Sequence, residues 1–285
     1  MSTYVYPRGT DPRQTATFPV VQRWGIRIFR KIARAFTGAF GGVGKRVYFL
    51  RDTMRALGEP ATYLPQTIKQ MYNIGVGSVP LTVIVAAFIG SVIALQTRYQ
   101  LFPGVQLSVV GLISRQMIIL ELGPLLTGLV LTGRVGARMT AEIGTMRVTE
   151  QIDALETLAW DPMAYLVVPR IIAALIMLPV LVVFANLVGV GTAFATARFA
   201  TDVTRLEFRE GLLLSFTPFQ ITYSLIKATM FGGAIAFLCS YEGYHAEAGA
   251  EGVGKSTASA VVITSVAILV LDALTATILA NQLQG

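Results

Sequence analysis

From Met71 to Gln96 no charged side chain interrupts the chain. About 20 apolar residues suffice for a helix to cross a bilayer, so this stretch predicts one span. Residues 106–132 predict a second, although Arg115 and Glu121 lie within it. Residues 171–197 are free of charge and predict a third. The apolar run 211–241 around Lys227 is too long for one span, and Pro218 is expected to divide a short outer-surface helix from a fourth. Residues 258–282 predict a fifth, interrupted only by Asp272. No stretch alternates with period two, and lipid admits only helices or closed barrels, so all five are read as helices.

The amino-terminal pattern differs. Residues 1–20 are polar, have no apolar h-region, and predict a flexible tail without a cleaved secretory signal. In WGIRIFRKIARAF, Trp24, Ile28, Ile32 and Phe36 recur every fourth residue, with Arg27, Arg30, Lys31 and Arg34 largely opposite. That is a basic amphipathic helix suited to an anionic membrane surface. GAFGGVGK breaks it, and a second amphipathic piece runs to about Gly58.

Composition agrees with this pattern. Hydrophobic residues make up 54% and charged residues 14%, with mean hydropathy +0.63. Soluble domains carry about 25% charge. The net charge is +7, and twelve of the 23 Lys and Arg precede residue 70. With the amino terminus inside, the segments 133–162 and 242–256 add Arg134, Arg138, Arg147 and Lys255 to the inner side. The outer loops then hold Arg98, Arg198, Arg205 and Arg209. This asymmetry predicts a cytoplasmic amino terminus and a carboxyl terminus across the membrane. One cysteine, Cys239, excludes an intrachain disulfide framework.

GAEGVGKST, Gly249 to Thr257, satisfies the G-x-x-x-x-G-K-[ST] pattern of phosphate-binding loops. Such a loop lies between a buried strand and a helix and needs a metal-holding acid on a second strand. Here a span precedes it, and only 29 residues follow Ser256. The match is read as coincidental, with Ser256 or Thr257 capping the fifth helix. Cys239, His245, Glu242, Glu247 and Glu251 lack paired-ligand spacing and are read as a solvated loop, with no metal site. A single histidine leaves no Ser/His/Asp set, so no catalytic residues are assigned.

Between the second and third spans, Val148, Ile152, Leu155 and Ala159 share one helical face. Arg147, Glu150, Gln151, Asp153, Glu156 and Thr157 take most of the rest, and Asp161-Pro162 stops the helix. A rigid amphipathic rod on an inner loop suits docking to a partner. Covering the ends of its own spans is the alternative.

The segment GRVGARMTAEIGTMRVTEQIDALETLAWDP, from Gly133 to Pro162, closely resembles the signature of the MlaE/YrbE permease family. This family supplies membrane subunits of the Mla, Mce and chloroplast lipid-transfer ABC systems. AAFIGSVIALQ (Ala86 to Gln96), ELGPLLTGLVLTGRVGA (Glu121 to Ala137), YLVVPRIIAALIMLPVL (Tyr165 to Leu181) and GYHAEAGAEGVGKSTASAVV (Gly243 to Val262) resemble further parts of it, in order, from about residue 60 onward.

Pattern and resemblance together predict an all-α polytopic membrane protein with about five transmembrane helices, an amino-terminal amphipathic interfacial helix and a cytoplasmic coupling helix. The chain is thus read as a tail (1–20), a basic interfacial region (21–70) and a permease domain (71–285), with the coupling helix at about 138–160; the resemblance itself begins at about residue 60. It implies a homodimer, a cytoplasmic ABC ATPase that binds the ATP, an MCE-domain lipid-binding protein on the outer side, and a phospholipid or related cargo leaving or entering the cytoplasmic membrane. Membrane lipids are expected partners and nucleic acid is not; this chain needs no cofactor of its own. Arg147, Glu150, Ile152, Asp153, Leu155 and Glu156 would meet the ATPase. A sterol or organic-solvent cargo, or a non-transporting scaffold, are the alternative functions.

Charges within spans are costly and mark function by default. Arg115, Glu121, Lys227 and Asp272 qualify. The family shows Arg before Glu-Leu-Gly-Pro where this chain has Leu120, and Arg115 is on a different helical face from that position. Glu121, Pro124 and Lys227 are the candidate cavity residues. A structural bridge between Glu121 and Lys227 is the alternative. In the third span, Gly191 and Ala195 form a small-xxx-small pair suited to close packing.

Overall fold

The computed structural model describes residues 44–58 and 60–283. The basic helix expected around Trp24–Phe36 lies outside these residues. Helix α1 covers 44–56, the place expected for the second amphipathic piece. The unit that carries the membrane bundle begins at Arg51. Among the described residues there is no strand, and five helical stretches are long and apolar enough to cross a membrane.

The first stretch is broken. Helix α2 (Pro60–Ile74) passes through one 3-10 turn (Val76–Ser78) into α3 (Val79–Gln100). Pro80 in the first turn of α3 suits this restart, because the missing N–H has no partner there anyway. At Gly75 an added Cβ would stand 2.0 Å from Met177 Cε, so the break lets another helix press against bare backbone.

The second stretch is longer than its apolar core. Helix α4 (Ser108–Gln116) enters a π-helical turn (Met117–Leu122), then α5 (Gly123–Leu131), a second π turn (Thr132–Gly136) and α6 (Ala137–Val148). The span expected to end at residue 132 therefore continues as helix for four more turns. No proline interrupts 125–161, so nothing forces a stop at the end of the hydrocarbon.

The expected 138–160 coupling helix is corrected to two pieces. Helix α6 ends at Val148, Glu150 adopts a left-handed backbone (φ 58°), and α7 covers only Gln151–Thr157. A π turn (Met163–Val167) then opens α8 (Val168–Ala200). A short helix, α9 (Arg205–Leu213), closed by a reciprocal Thr204–Glu207 capping box, lies mostly before the 211–217 stretch where one was expected. Pro218 directly precedes α10 (Phe219–Tyr244), and α11 covers Gly249–Leu283.

Helices α3 and α8 pack at glycine. A Cβ on Gly90 would meet the Gly189 carbonyl at 2.0 Å. Gly189 and Ala193 thus form the close contact in α8, whereas a Cβ on Gly191 would meet nothing within 4 Å. The expected Gly191–Ala195 seam is displaced by two residues, which turns it to the opposite side of the helix. One core cluster joins Leu131, Met139, Leu178, Phe231, Ile235 and Ile268; another joins Ile93, Val110, Ile118, Ala193 and Phe208. Large apolar groups such as Phe88, Leu187 and Val262 stay exposed. In a bilayer such side chains face solvent of their own kind.

The phosphate-loop look-alike is helical. Gly249 (φ +89°) starts α11, and Gly254, Lys255 and Ser256 are inside it. Thr257 Oγ1 bonds the Val253 carbonyl at 2.8 Å within the helix, so the expected cap at Ser256 or Thr257 is wrong by about two turns. The expected solvated loop around Cys239 is also corrected. Cys239 is buried on α10 beside Thr264, and His245 Nδ1 lies 2.9 Å from the Tyr241 carbonyl.

Candidate functional site

Pro124 has no N–H, so the Leu120 carbonyl one turn earlier loses its helical partner. The π turn Met117–Leu122 absorbs the mismatch, with the Gly123 N–H reaching back to the Ile118 carbonyl. Lys227 of α10 fills the gap, and its Nζ donates to the Leu120 carbonyl at 3.3 Å. The same ammonium lies 2.7 Å from Glu121 Oε2 and 2.7 Å from Asp272 Oδ1 of α11. The face of the Tyr223 ring is 5.0 Å from it.

One ammonium therefore joins three spans. It is fully buried, Asp272 is 11% exposed, and Glu121 is 43% exposed. Two carboxylates share one cation, which satisfies the requirement that a charge leaving water be paired. The exposures separate the roles. Asp272 is an internal partner, while Glu121 also reaches the surface of the bundle.

Asn186 of α8 closes the site. A Cβ on Gly123 would lie 2.0 Å from Asn186 Oδ1, so only glycine admits it there. Asn186 Nδ2 donates to Ser224 Oγ at 3.0 Å. Of the expected cavity residues, Glu121, Pro124 and Lys227 come together. The Glu121–Lys227 bridge exists, with Asp272 as a third member that sequence reasoning left outside the site. Its signal was present, since Asp272 is the lone charge in the fifth apolar run. Asn186 gave no such signal, because neutral amides do not interrupt hydropathy.

Arg115 is elsewhere. Its guanidinium donates to the carbonyls of Leu212 (2.5 Å), Leu214 (3.1 Å) and Ser215 (3.4 Å) and lies over Phe216. It caps the carboxyl end of α9 and fastens that helix to the second span. Near the other end, Arg170 is buried and reaches the Leu166 carbonyl and Glu142.

In the 149–162 segment, Arg147 Nη1 pairs with Asp153 Oδ1 at 2.6 Å. Ile152 is fully buried against its own chain, and Leu155 is half-buried. Glu150 and Glu156 are exposed, as are Leu158 (69%) and Trp160 (48%). Ala159 has a positive φ of 59°, which turns the chain out of α7 and presents these two apolar side chains.

A family model described as "Permease MlaE" matches residues 67–278. A probable ABC transporter permease protein of Rickettsia prowazekii is 41% identical over 217 residues, covering 74% of this chain and 82% of the relative. Another from Synechocystis is 39% identical, covering 72% and 78%. The chloroplastic protein trigalactosyldiacylglycerol 1 of Arabidopsis thaliana is 31% identical, covering 72% of this chain and 59% of that protein.

Proposed function

Because the chain belongs to the MlaE permease family and is a multi-pass subunit of an ABC transporter, we propose that it forms the membrane path along which phospholipids or related lipids leave or enter the cytoplasmic membrane. A permease subunit is not itself the ATPase, so a partner subunit supplies ATP hydrolysis and this chain binds no cofactor of its own. The observation that carries the reading is Glu121, a carboxylate 43% exposed at mid-span while its partners Lys227 and Asp272 are buried. Such a group does not face acyl chains; it faces a polar cavity or another protein surface. A second copy of the chain, related by a twofold axis, would place two Glu121 side chains across one cavity. Lipid headgroups would meet Glu121 beside Pro124, with Lys227 holding the carboxylate, and tails would lie along apolar walls. The Arabidopsis relative's name is that of a lipid, which supports this cargo class.

The amino terminus and the 149–162 segment would lie on the cytoplasmic side and the carboxyl terminus on the outer side, where an MCE-domain lipid-binding protein would receive or deliver cargo. Glu150, Asp153, Glu156 and Leu155, with Leu158 and Trp160, would contact the ATPase. Arg147 would hold Asp153 in place, and Ile152 would anchor the segment from within. ATP-driven closure would push the two segments together and compress the cavity.

Vesicles containing the permease, its ATPase and a fluorescent phospholipid provide the test. ATP should move the lipid between leaflets or to an acceptor, and Glu121→Gln should slow it at least tenfold. Intact complexes that hydrolyse ATP and move no lipid would favour a scaffold. Lipid extracts carrying a sterol or solvent in place of phospholipid would reassign the cargo.

A further inference from the structure

A second polar recess lies one helix end away from Glu121, where the broken first span meets the π turn before α6. It encloses about 100 Å³. Ser78 lines it, and the Ser78 hydroxyl is buried without a hydrogen-bond partner. Gln70 and Asn73 of α2 and Arg134, Arg138 and Glu142 of the second stretch line it as well. Arg138 Nε is paired with Glu142 Oε1 at 2.7 Å, but Glu142 Oε2 already faces buried Arg170 at 3.3 Å. Two guanidinium groups thus share the Glu142 carboxylate, and Arg134 has no ion pair among the described residues. Two guanidinium groups, one carboxylate, two amides and an unsatisfied hydroxyl line one small volume, which leaves it a net positive charge.

The position of the recess indicates which anion it suits. Residues 122–133 carry no charge, and Arg134 is the first charged residue after them, so the recess lies where the second span leaves the hydrocarbon. Beside its mouth, Ile68, Tyr72 and Val76 follow one another along one side of the first stretch with 67%, 66% and 54% of their surface exposed. Tyrosine favours this level of a bilayer, with its ring among acyl chains and its hydroxyl among headgroups. Basic pockets between spans on the inner side attract anionic headgroups. We propose that this recess binds the phosphate-bearing headgroup of an anionic phospholipid from the adjoining leaflet, with its chains lying along Ile68, Tyr72 and Val76. Ser78 and the two amides donate to phosphate oxygens, and Arg134 and Arg138 supply the charge. This site is separate from the Glu121 cluster, and it stands whether or not the transported cargo is a phospholipid.

Full-length protein in detergent is titrated with phosphatidylglycerol, and bound lipid is counted by native mass spectrometry without nucleotide. Phosphatidylcholine and inorganic phosphate at matched ionic strength form separate arms. Phosphatidylglycerol should bind at least tenfold more tightly than phosphatidylcholine, and Arg134→Gln with Arg138→Gln should abolish that preference. Gly77→Leu is the second variant. Gly77 lines the recess and a Cβ there meets no atom within 4 Å, so leucine adds bulk at the recess wall without a clash and with both arginines intact. It should weaken phosphatidylglycerol binding at least tenfold at unchanged thermal stability. Wild-type binding in folded Gly77→Leu, or in the double arginine variant, overturns the site. Displacement of the lipid by millimolar phosphate overturns the lipid as its occupant.

Discussion

Pro124 and Lys227 meet at one carbonyl. Proline removes the helical donor from Leu120, and the Lys227 ammonium, 3.3 Å away on another span, replaces it. The ammonium also holds Glu121 and Asp272, so a defect in one helix becomes the junction of three.

Lys227→Met should lower stability by about 3–5 kcal/mol, because it leaves two carboxylates without their cation. Neutralising both acids in the same chain (Glu121→Gln, Asp272→Asn) should restore most of the loss. Thermal unfolding in detergent measures both. Equal destabilisation in the single and triple variants would show that packing, not charge, governs this site.

Arg115→Ala should release α9. Three carbonyls lose a charged donor, and each unsatisfied group costs roughly 1–3 kcal/mol, reduced where water or lipid headgroups reach it. Hydrogen exchange should accelerate at 205–216 and stay unchanged in α10. Lysine should not rescue it, since one ammonium cannot reproduce the planar fork.

Acid should loosen the opposite end of α9. The Thr204 backbone N–H, followed by its hydroxyl, holds the exposed Glu207 carboxyl below its usual range. A depressed carboxylate stabilises the fold above its unfolded value and loses that contribution as pH falls through the folded one. Exchange at 205–208 should rise below about pH 4.5, the ordinary glutamate value, and Thr204→Ala should abolish that pH dependence.

Gly90→Ala should cost about 1–3 kcal/mol or more, because the new methyl meets rigid backbone of α8. Gly191→Ala should change stability by less than about 0.5 kcal/mol. Unfolding midpoints of the two variants test the α3–α8 register directly. Reversed sensitivities would place the seam at Gly191.

Leu158→Asp with Trp160→Asp should abolish co-purification of the ATPase while leaving the fold intact. Ile152→Asp should instead unfold the segment, since it buries an unpaired charge. Pull-down read beside circular dichroism separates the two. Persistent tight binding in the Leu158/Trp160 variant would exclude these side chains from the interface.

The five apolar runs and the rarity of charge within them determined the helical, membrane-spanning class, because hydrocarbon leaves a chain few other ways to satisfy its backbone. The ionisable groups at depth were legible for the same reason. Where each helix stops was not. Hydropathy marks the edge of the hydrocarbon, whereas a helix ends where capping, proline or a left-handed residue such as Glu150 ends it; α6 and α11 therefore extend well past their apolar cores. Only the tertiary structure decided that Asp272 completes the Lys227 cluster, that Arg115 caps α9, and that Gly189 rather than Gly191 meets its neighbour. Those are relations between helices, set by the angles at which they cross, and no periodicity within one helix encodes the face its partner presents.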